Sequence, residues 1–422
     1  MPVDCRHLIN CVESTSQLPK SIDRKDSAKY APSVNRSFRP SPSRLRIVAA
    51  IFCCVSFASC FGQTPRTAAC TVFAADGSLA TGTVRDGDLE TRLDVPGSPV
   101  RTIHTSVGNA SGCEEAVSSD GKWLATVVPG DKLTVLITDM KAGALHSRFS
   151  SEWHTFNGYP FERNRSMPLG GFAADNSIIL YRDVPQQRAG RGGADGELHV
   201  QHWSTESRLL WEDNFGITDV GCGGDDPIAA QNLQRLWVPR GCFTRGYQGF
   251  TFDQRDWIAD NSLTLPKHYT STPVDVQNAN RLLTVVGDRT NQKAALLDYS
   301  GKVDSEVSLP FFPNLLGPLV PDWFYVRQPA PSPDGRFAAI ARTRVAWVLV
   351  DTDRDWGSEV LLLTLHPLSV IETLRTGRGG IGALALDHRN GAARLVGFWA
   401  DHWHDLRWEE ARKGKWQQTA TW

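Results

Sequence analysis

Three short segments combine residue types and spacings that could do chemistry. Gly377-Arg378-Gly379-Gly380-Ile381-Gly382 has the G-x-G-x-x-G spacing of a dinucleotide-binding turn. That use needs a strand before the glycines and a helix starting at them, so that the helix N-terminus meets the pyrophosphate. Here ALALDHRNG follows, which reads as strand then turn, so a flexible loop is the expectation. Asp351, Asp353 and Asp355 alternate ahead of Gly357. Calcium loops use such alternation to converge several oxygens on one hard cation. The glycine comes one position late, no Glu stands at the distal ligand position, and β-rich runs AWVLV and EVLLL flank the segment. An Asp-rich hairpin turn is expected. Asp401-His402-Trp403-His404-Asp405 puts two imidazoles on one face of a strand, because side chains alternate. Two His and a carboxylate could hold a transition metal. Trp399, Asp401, Trp403 and Asp405 would share the other face, with Trp408 and Trp416 following. Aromatic packing is the expected use of this stretch, with carbohydrate stacking as the alternative if it is exposed.

Several motifs are missing. There is no G-x-S-x-G elbow, no H-E-x-x-H, no Walker A loop and no haem-attaching C-x-x-C-H. The sequence therefore assigns no catalytic residue, no metal ligand, no cofactor-binding residue and no cofactor. Of the nine Cys, four lie well beyond the N-terminal region: Cys70, Cys113, Cys222 and Cys242. An even number in an exported chain permits two disulfides, with Cys70–Cys113 and Cys222–Cys242 favoured as nearest neighbours over the other connectivities. Four free thiols are the alternative. No Cys-x-x-Cys is present, which argues against zinc or a redox motif.

The elements that must carry these residues repeat. Ala75-Asp76-Gly77, Ser119-Asp120-Gly121, Ala174-Asp175-Asn176 and Pro333-Asp334-Gly335 each precede a β-rich run: KWLATVV after the second, SIILY after the third, RFAAIA after the fourth. Asp-Gly and Asp-Asn supply the positive φ that tight turns need. A second β-run follows in most cases. Asp76 to Asp120 spans 44 residues and Asp120 to Asp175 spans 55; the Gly/Arg loop Arg188–Gly196, just after Asp175, reads as an insertion. Asp175 to Asp334 spans 159, room for three repeats of 53. Degenerate turns at Gly224–Asp226 before RLWV and at Asn278–Asn280 before RLLTVV fill that gap, and His388–Gly391 precedes AARLVGFW. Seven units result. One small sheet cannot bury both its faces, whereas radial stacking buries the faces and protects the edges. The expected fold is all-β: a β-propeller of seven blades of short antiparallel sheets. Closure is expected from an N-terminal strand, within Thr67–Phe73 or Ala80–Arg85, joining the sheet around Ala393–Trp399.

The Ser-x-Asp-Gly and Ser-Pro-Asp-Gly-Arg turns with FAAIA-like strands resemble bacterial TolB-like and WD40-like propeller repeats. The resemblance covers residues 118–138 and 332–352 best, and 173–181 less closely. It implies a propeller fold and carries no activity.

Apolar residues make up 41% of the 422, enough for a real core, and 22% charged residues exclude bulk disorder. Residues 1–60 hold nine basic and four acidic residues, leaving 36 basic and 42 acidic in the remainder. A mildly acidic body excludes a nucleic-acid binder, whose footprint is basic. Ile47–Phe61 is an uncharged run of fifteen residues behind Arg44 and Arg46, the length of a signal-peptide h-region. Ser56-Phe57-Ala58 offers a small-x-small cleavage site; Phe57-Ala58-Ser59-Cys60 also reads as a lipobox, which would lipidate Cys60; an uncleaved anchor is the third reading. Residues 1–43 read as a disordered extension or a mis-assigned start, 44–61 as the signal segment, and 62–422 as one propeller domain.

The expected function is that of an exported, non-catalytic scaffold, periplasmic, on the outer envelope or extracellular. It would be a monomer presenting a rigid surface to a protein or glycan, touching membrane only through the signal segment or Cys60. The alternatives are a propeller enzyme at the central channel (lyase, glycosidase or quinoprotein-like dehydrogenase) and a lipid-anchored envelope component. Convergent carboxylates, His or Arg at the channel mouth would favour the enzyme.

Overall fold

Each Asp-Gly-type turn reverses the chain between two runs of β-branched and aliphatic residues, and the runs pair as antiparallel hairpins. The computed structural model describes residues 67–110, 112–130, 132–151, 169–185, 195–219, 227–230, 234–239, 246–253, 256–265, 269–277, 279–287, 291–311, 322–347, 353–377, 380–409 and 415–422. Among them no helix occurs.

The strands fall into seven sheets, each a sequential meander. Blade 1 holds β1 (Ala68–Phe73), β2 (Leu79–Arg85), β3 (Asp88–Asp94) and β4 (Arg101–Ser106). Blade 2 holds β5 (Glu114–Val117), β6 (Trp123–Val128), β7 (Leu133–Asp139) and β8 (Ala144–Ser151). Blade 3 holds β9 (Leu169–Phe172), β10 (Ile178–Pro185), β11 (Asp195–Trp203) and β12 (Leu209–Asp219). Blade 4 holds β13 (Ile228–Ala230), β14 (Arg235–Pro239), β15 (Tyr247–Asp253) and β16 (Asp256–Leu265). Blade 5 holds β17 (Val274–Val276), β18 (Arg281–Val286), β19 (Lys293–Leu297) and β20 (Val303–Ser308). In blade 6 the innermost strand comes in two pieces, β21 (Asp322–Val326) and β22 (Ala330–Pro331), both paired to β23 (Phe337–Trp347), followed by β24 (Asp353–Leu365) and β25 (Leu368–Gly377). Blade 7 holds β26 (Ala383–Arg389), β27 (Ala392–Trp399), β28 (His402–Glu409) and β29 (Gln417–Thr421).

The first strands of successive blades adjoin in the order β1, β5, β9, β13, β17, β22, β26 and back to β1. The protein is thus a closed seven-bladed β-propeller. Burial follows from that arrangement. Strand β6, WLATVV, is buried at every position because blades cover both its faces, whereas β4 alternates half-buried with exposed. The core is a set of seams between blades. Trp123, Val127 and Ile137 of blade 2 meet Phe172, Ile178 and Leu180 of blade 3. Trp237 and Tyr247 of blade 4 meet Leu282 and Leu297 of blade 5. Each fully buried side chain of this size contributes about 1.5–3 kcal/mol.

Closure differs from the expected strand exchange. Residues 68–73 and 79–85 both stay in blade 1, where Phe73 pairs Leu79 and Cys70 pairs Gly82. Strand β29, from the C-terminal end, supplies the outermost strand of blade 7 instead, so all four of its strands come from the C-terminal part of the chain. Side chains close the seam. Phe73 and Leu79 pack with Val396, Phe398 and Trp403. Arg394 Nη2 bonds Asp94 and Asp405, each at 2.8 Å. Trp403 Nε1 donates to Thr83 Oγ1 at 2.9 Å, and the Arg92 guanidinium lies 4.2 Å from the Trp422 ring centre.

The repeated turns join the first and second strands of their blades. Asn390 and Gly391 take positive φ, as does Asn280. One expected position shifts: Gly224–Asp226 lies outside the described residues and precedes β13, so the turn before RLWV falls between Ala230 and Arg235. The tip of the expected Gly/Arg insertion also lies outside them, but its flanks extend the β10–β11 hairpin as far as the Pro185–Gly196 pair.

Candidate functional site

The three candidate segments resolve into structural elements. Gly377 ends β25 and Gly382 precedes β26, so strand follows strand where a dinucleotide turn needs a helix; Arg378 and Gly379 lie outside the described residues. Asp353 and Asp355 sit on extended strand opposite Trp347 and Val345 rather than on a calcium-type loop, while Asp351 lies outside the described residues. In blade 7, Ala400 and Asp401 both take positive φ, making a two-residue turn that pairs Trp399 directly with His402. Trp399 therefore shares the His face, not the Trp403 face that spacing alone implied. Its ring stacks on His404 at 4.1 Å, while Asp405 on the opposite face is bound to Arg394. The two-His-and-carboxylate set is not assembled. Trp399, Trp403 and Trp408 are buried in the seams, which removes them as a carbohydrate-stacking surface.

The inner wall carries Glu114 and Glu115 side by side on β5. Adjacent strand residues point to opposite faces. Glu114 Oε2 accepts the Leu169 N–H of blade 3 at 2.9 Å. Glu115 turns toward blade 1, where its Oε1 lies 2.9 Å from the point a Gly82 Cβ would occupy. Neither carboxylate oxygen of Glu115 has an aligned hydrogen-bond partner, the Thr126 hydroxyl being the polar group that faces it across the strand pair. Burial raises its pKa well above the ordinary carboxyl value, with the facing Thr126 hydroxyl offsetting part of the effect. The two carboxylates diverge, so they cannot act on one substrate as acid and base.

Several other ionic groups fasten blades together, while pairs such as Lys293–Glu306 and His199–Glu212 lie within one blade. Arg342 and Glu359 of blade 6, each 3% exposed, form an ion pair in which Arg342 Nε donates to Glu359 Oε1 at 2.9 Å. Arg342 also donates to Gln292 Oε1 at 3.2 Å and to the Pro310 carbonyl at 2.7 Å, both from the blade 5 side. The recurring turns are clasps. Ser118 Oγ donates to Asp120 at 2.6 Å while accepting the Trp123 N–H at 2.8 Å, and Ser332 repeats this with Asp334 and Phe337. The Ser118 hydroxyl holds Asp120 below its ordinary carboxylate pKa. The same aspartates reach the next blade: Asp120 accepts from Asn176 Nδ2 at 3.1 Å, and Asp334 bonds His388 Nδ1 at 2.7 Å. Arg389 in turn donates to the Ala75 carbonyl at 2.6 Å, carrying the chain of contacts from blade 7 to blade 1.

The rim of blades 3 and 4 is different, and the sequence reading missed it. His202 and Trp211 of blade 3 stack with Phe252 of blade 4, the Trp211 and Phe252 ring centres 5.4 Å apart. Phe215, Phe250 and Trp257 extend the seam. Burial lowers the His202 pKa to about 3, so the ring is neutral near pH 7. Asp213, between Trp211 and Phe215 in sequence, is pushed up by burial and by Asp256. Leu209, Leu210 and Ile258, exposed at 42%, 41% and 54%, stand on the outermost strands β12 and β16, where Leu209 pairs Trp203 and Ile258 pairs Thr251 on the faces turned away from the seam. The legible signal was the alternation of Trp211, Asp213 and Phe215 with Phe250 and Phe252, which resembles any half-buried strand.

Cys70 and Cys113 form a disulfide that joins β1 to the residue preceding β5, and so blade 1 to blade 2. Cys222, Cys242 and Cys60 lie outside the described residues. No protein-family model matches the chain, and no curated protein matches it either.

Proposed function

We propose that the protein is an exported, non-catalytic scaffold of the TolB-like and WD40-like propeller type that binds a protein partner at the rim of blades 3 and 4. The exposed aliphatic residues Leu209, Leu210 and Ile258 carry this reading, because they stand on the outermost strands of the two blades that share a rigid aromatic seam, and among the described residues no other strand covers those outer edges. Exposed apolar side chains on a firm sheet edge suit a partner that supplies apolar side chains and backbone hydrogen bonds. A glycan needs free aromatic faces, and one face of Trp211 is taken by His202 while Phe252 lies alongside. The channel-enzyme alternative loses support because Glu114 and Glu115 diverge. Export is supported by the leader Ile47–Phe61 and by the Cys70–Cys113 disulfide, which persists in oxidising compartments. Whether the leader is cleaved or Cys60 carries lipid decides between a free protein and an envelope-anchored one.

The test replaces Leu209, Leu210 and Ile258 together by Asp. The variant is expected to keep the wild-type melting temperature and to lose the partners that co-purify with the wild type from its own host's envelope extract. Unchanged partners, or turnover of a glycoside or polyuronate by the wild type that Glu114→Gln abolishes, would contradict the reading.

A further inference from the structure

Beside the Cys70–Cys113 disulfide lies an acid that the fold does not otherwise use. Gly82 pairs Cys70 across β1 and β2, and a Cβ there would meet Cys70 Sγ at 2.7 Å and Glu115 Oε1 at 2.9 Å. Only glycine leaves room for both atoms. The sulfurs of Cys70 and Cys113 lie 3.9 and 3.8 Å from the Gly82 carbonyl oxygen, so bridge and carboxyl share one small space. Both Glu115 oxygens are enclosed without an aligned hydrogen-bond partner, the Thr126 hydroxyl being the polar group that faces them across the strand pair. Val84, Leu89, Val128 and Leu136 line the seam around it. An enclosed carboxyl without a cation or a donor costs stability, and it stands where a proton would be needed if the bridge opened.

We propose that Cys70–Cys113 is an exchangeable disulfide and that Glu115 is the proton donor for its reduction by a dithiol. Cys113 is half-buried, whereas Cys70 is only 5% exposed, so Cys113 is the sulfur nearer to solvent. A thiolate of the dithiol attacks Cys113 Sγ, forming a mixed disulfide and breaking the Sγ–Sγ bond. Cys70 Sγ leaves with the electron pair and takes the Glu115 proton, giving a thiol and a carboxylate. The second thiol of the reductant, as thiolate, attacks the reductant's own sulfur in the mixed disulfide. Cys113 departs as a thiolate and is protonated by water, and Glu115 regains its proton from water. The dithiol is oxidised to its disulfide and the two cysteines are reduced. Opening the bridge unties the innermost strands of blades 1 and 2, independently of any partner at the rim.

The experiment follows opening of this bridge in the purified oxidised protein. Dithiothreitol is the reductant, alkylated Cys70 and Cys113 are quantified by peptide mass spectrometry, and rates are divided by the reductant thiolate concentration at each pH. The wild-type normalised rate is expected to fall as pH rises, because Glu115 loses its proton. Glu115→Gln is expected to be slower by about 10-fold or more at low pH and to show a flat profile, with Glu115→Asp recovering part of the loss. Coincident profiles for wild type and Glu115→Gln would overturn the proposal. So would a flat wild-type profile, which needs no variant to fold.

Discussion

Glu115 and Arg342 meet the same difficulty, a charge-bearing group inside a seam, in opposite ways. Glu115 has no counter-charge, and burial holds its proton to higher pH than an ordinary carboxyl does. In the unfolded chain it ionises near 4.5, and in the folded chain at a higher value. Its contribution to stability is therefore intact below the unfolded value and is lost as pH rises through the folded one. Melting temperatures from about pH 4 to about pH 9 should show that decline in the wild type and a smaller one in Glu115→Gln. Arg342 is instead paired with Glu359 and donates further bonds to Gln292 and the Pro310 carbonyl. Arg342→Met would leave Glu359 enclosed without its cation and is expected to cost about 3–5 kcal/mol by denaturant unfolding. Replacing Glu359 by Leu in the same chain should recover much of that loss, since a matched apolar pair avoids the desolvation of both charges.

At the scale of the element, the Asp-Gly turn is the unit from which the molecule is built. Gly335 sits at φ +69°, and a Cβ there would stand 2.5 Å from the Gln277 carbonyl oxygen of blade 5. Gly335→Ala is expected to cost about 1–3 kcal/mol, read as a lower denaturant midpoint. The disulfide is the other device at this scale. It spans 43 residues of sequence, so Cys70→Ser is expected to lower stability by about 4 kcal/mol on the chain-entropy account, measured by thermal or denaturant unfolding. These elements were largely legible in the sequence. Ser-x-Asp-Gly ahead of an aliphatic run specifies a turn locally, and the structure shows why: Ser118 and Ser332 each bond both the Asp carboxylate and a following N–H. The turn before RLWV was misplaced because blade 4 lacks that chemistry. The face assignment of Trp399 failed because two consecutive non-glycine residues of positive φ, Ala400 and Asp401, reset the register of the hairpin.

For the whole molecule, seven repeats could be counted along the chain, but how the ring closes could not. Closure depends on Arg394 meeting Asp94 and on Trp403 meeting Thr83, pairs some three hundred residues apart. The rim of blades 3 and 4 was hidden for the same reason: Trp211 and Phe252 come together only when two blades stack. A closed ring has little freedom to rearrange, so its outer face is a fixed surface, and Leu209, Leu210 and Ile258 offer exposed apolar side chains on it. The most direct test places a photoreactive side chain at Ile258 in the exporting host, with Gln417 on the exposed outer strand of blade 7 as control. A discrete cross-linked protein adduct at position 258 and none at position 417 is the predicted result. No adduct at 258, or the same adducts at both positions, would contradict a rim that binds a protein partner.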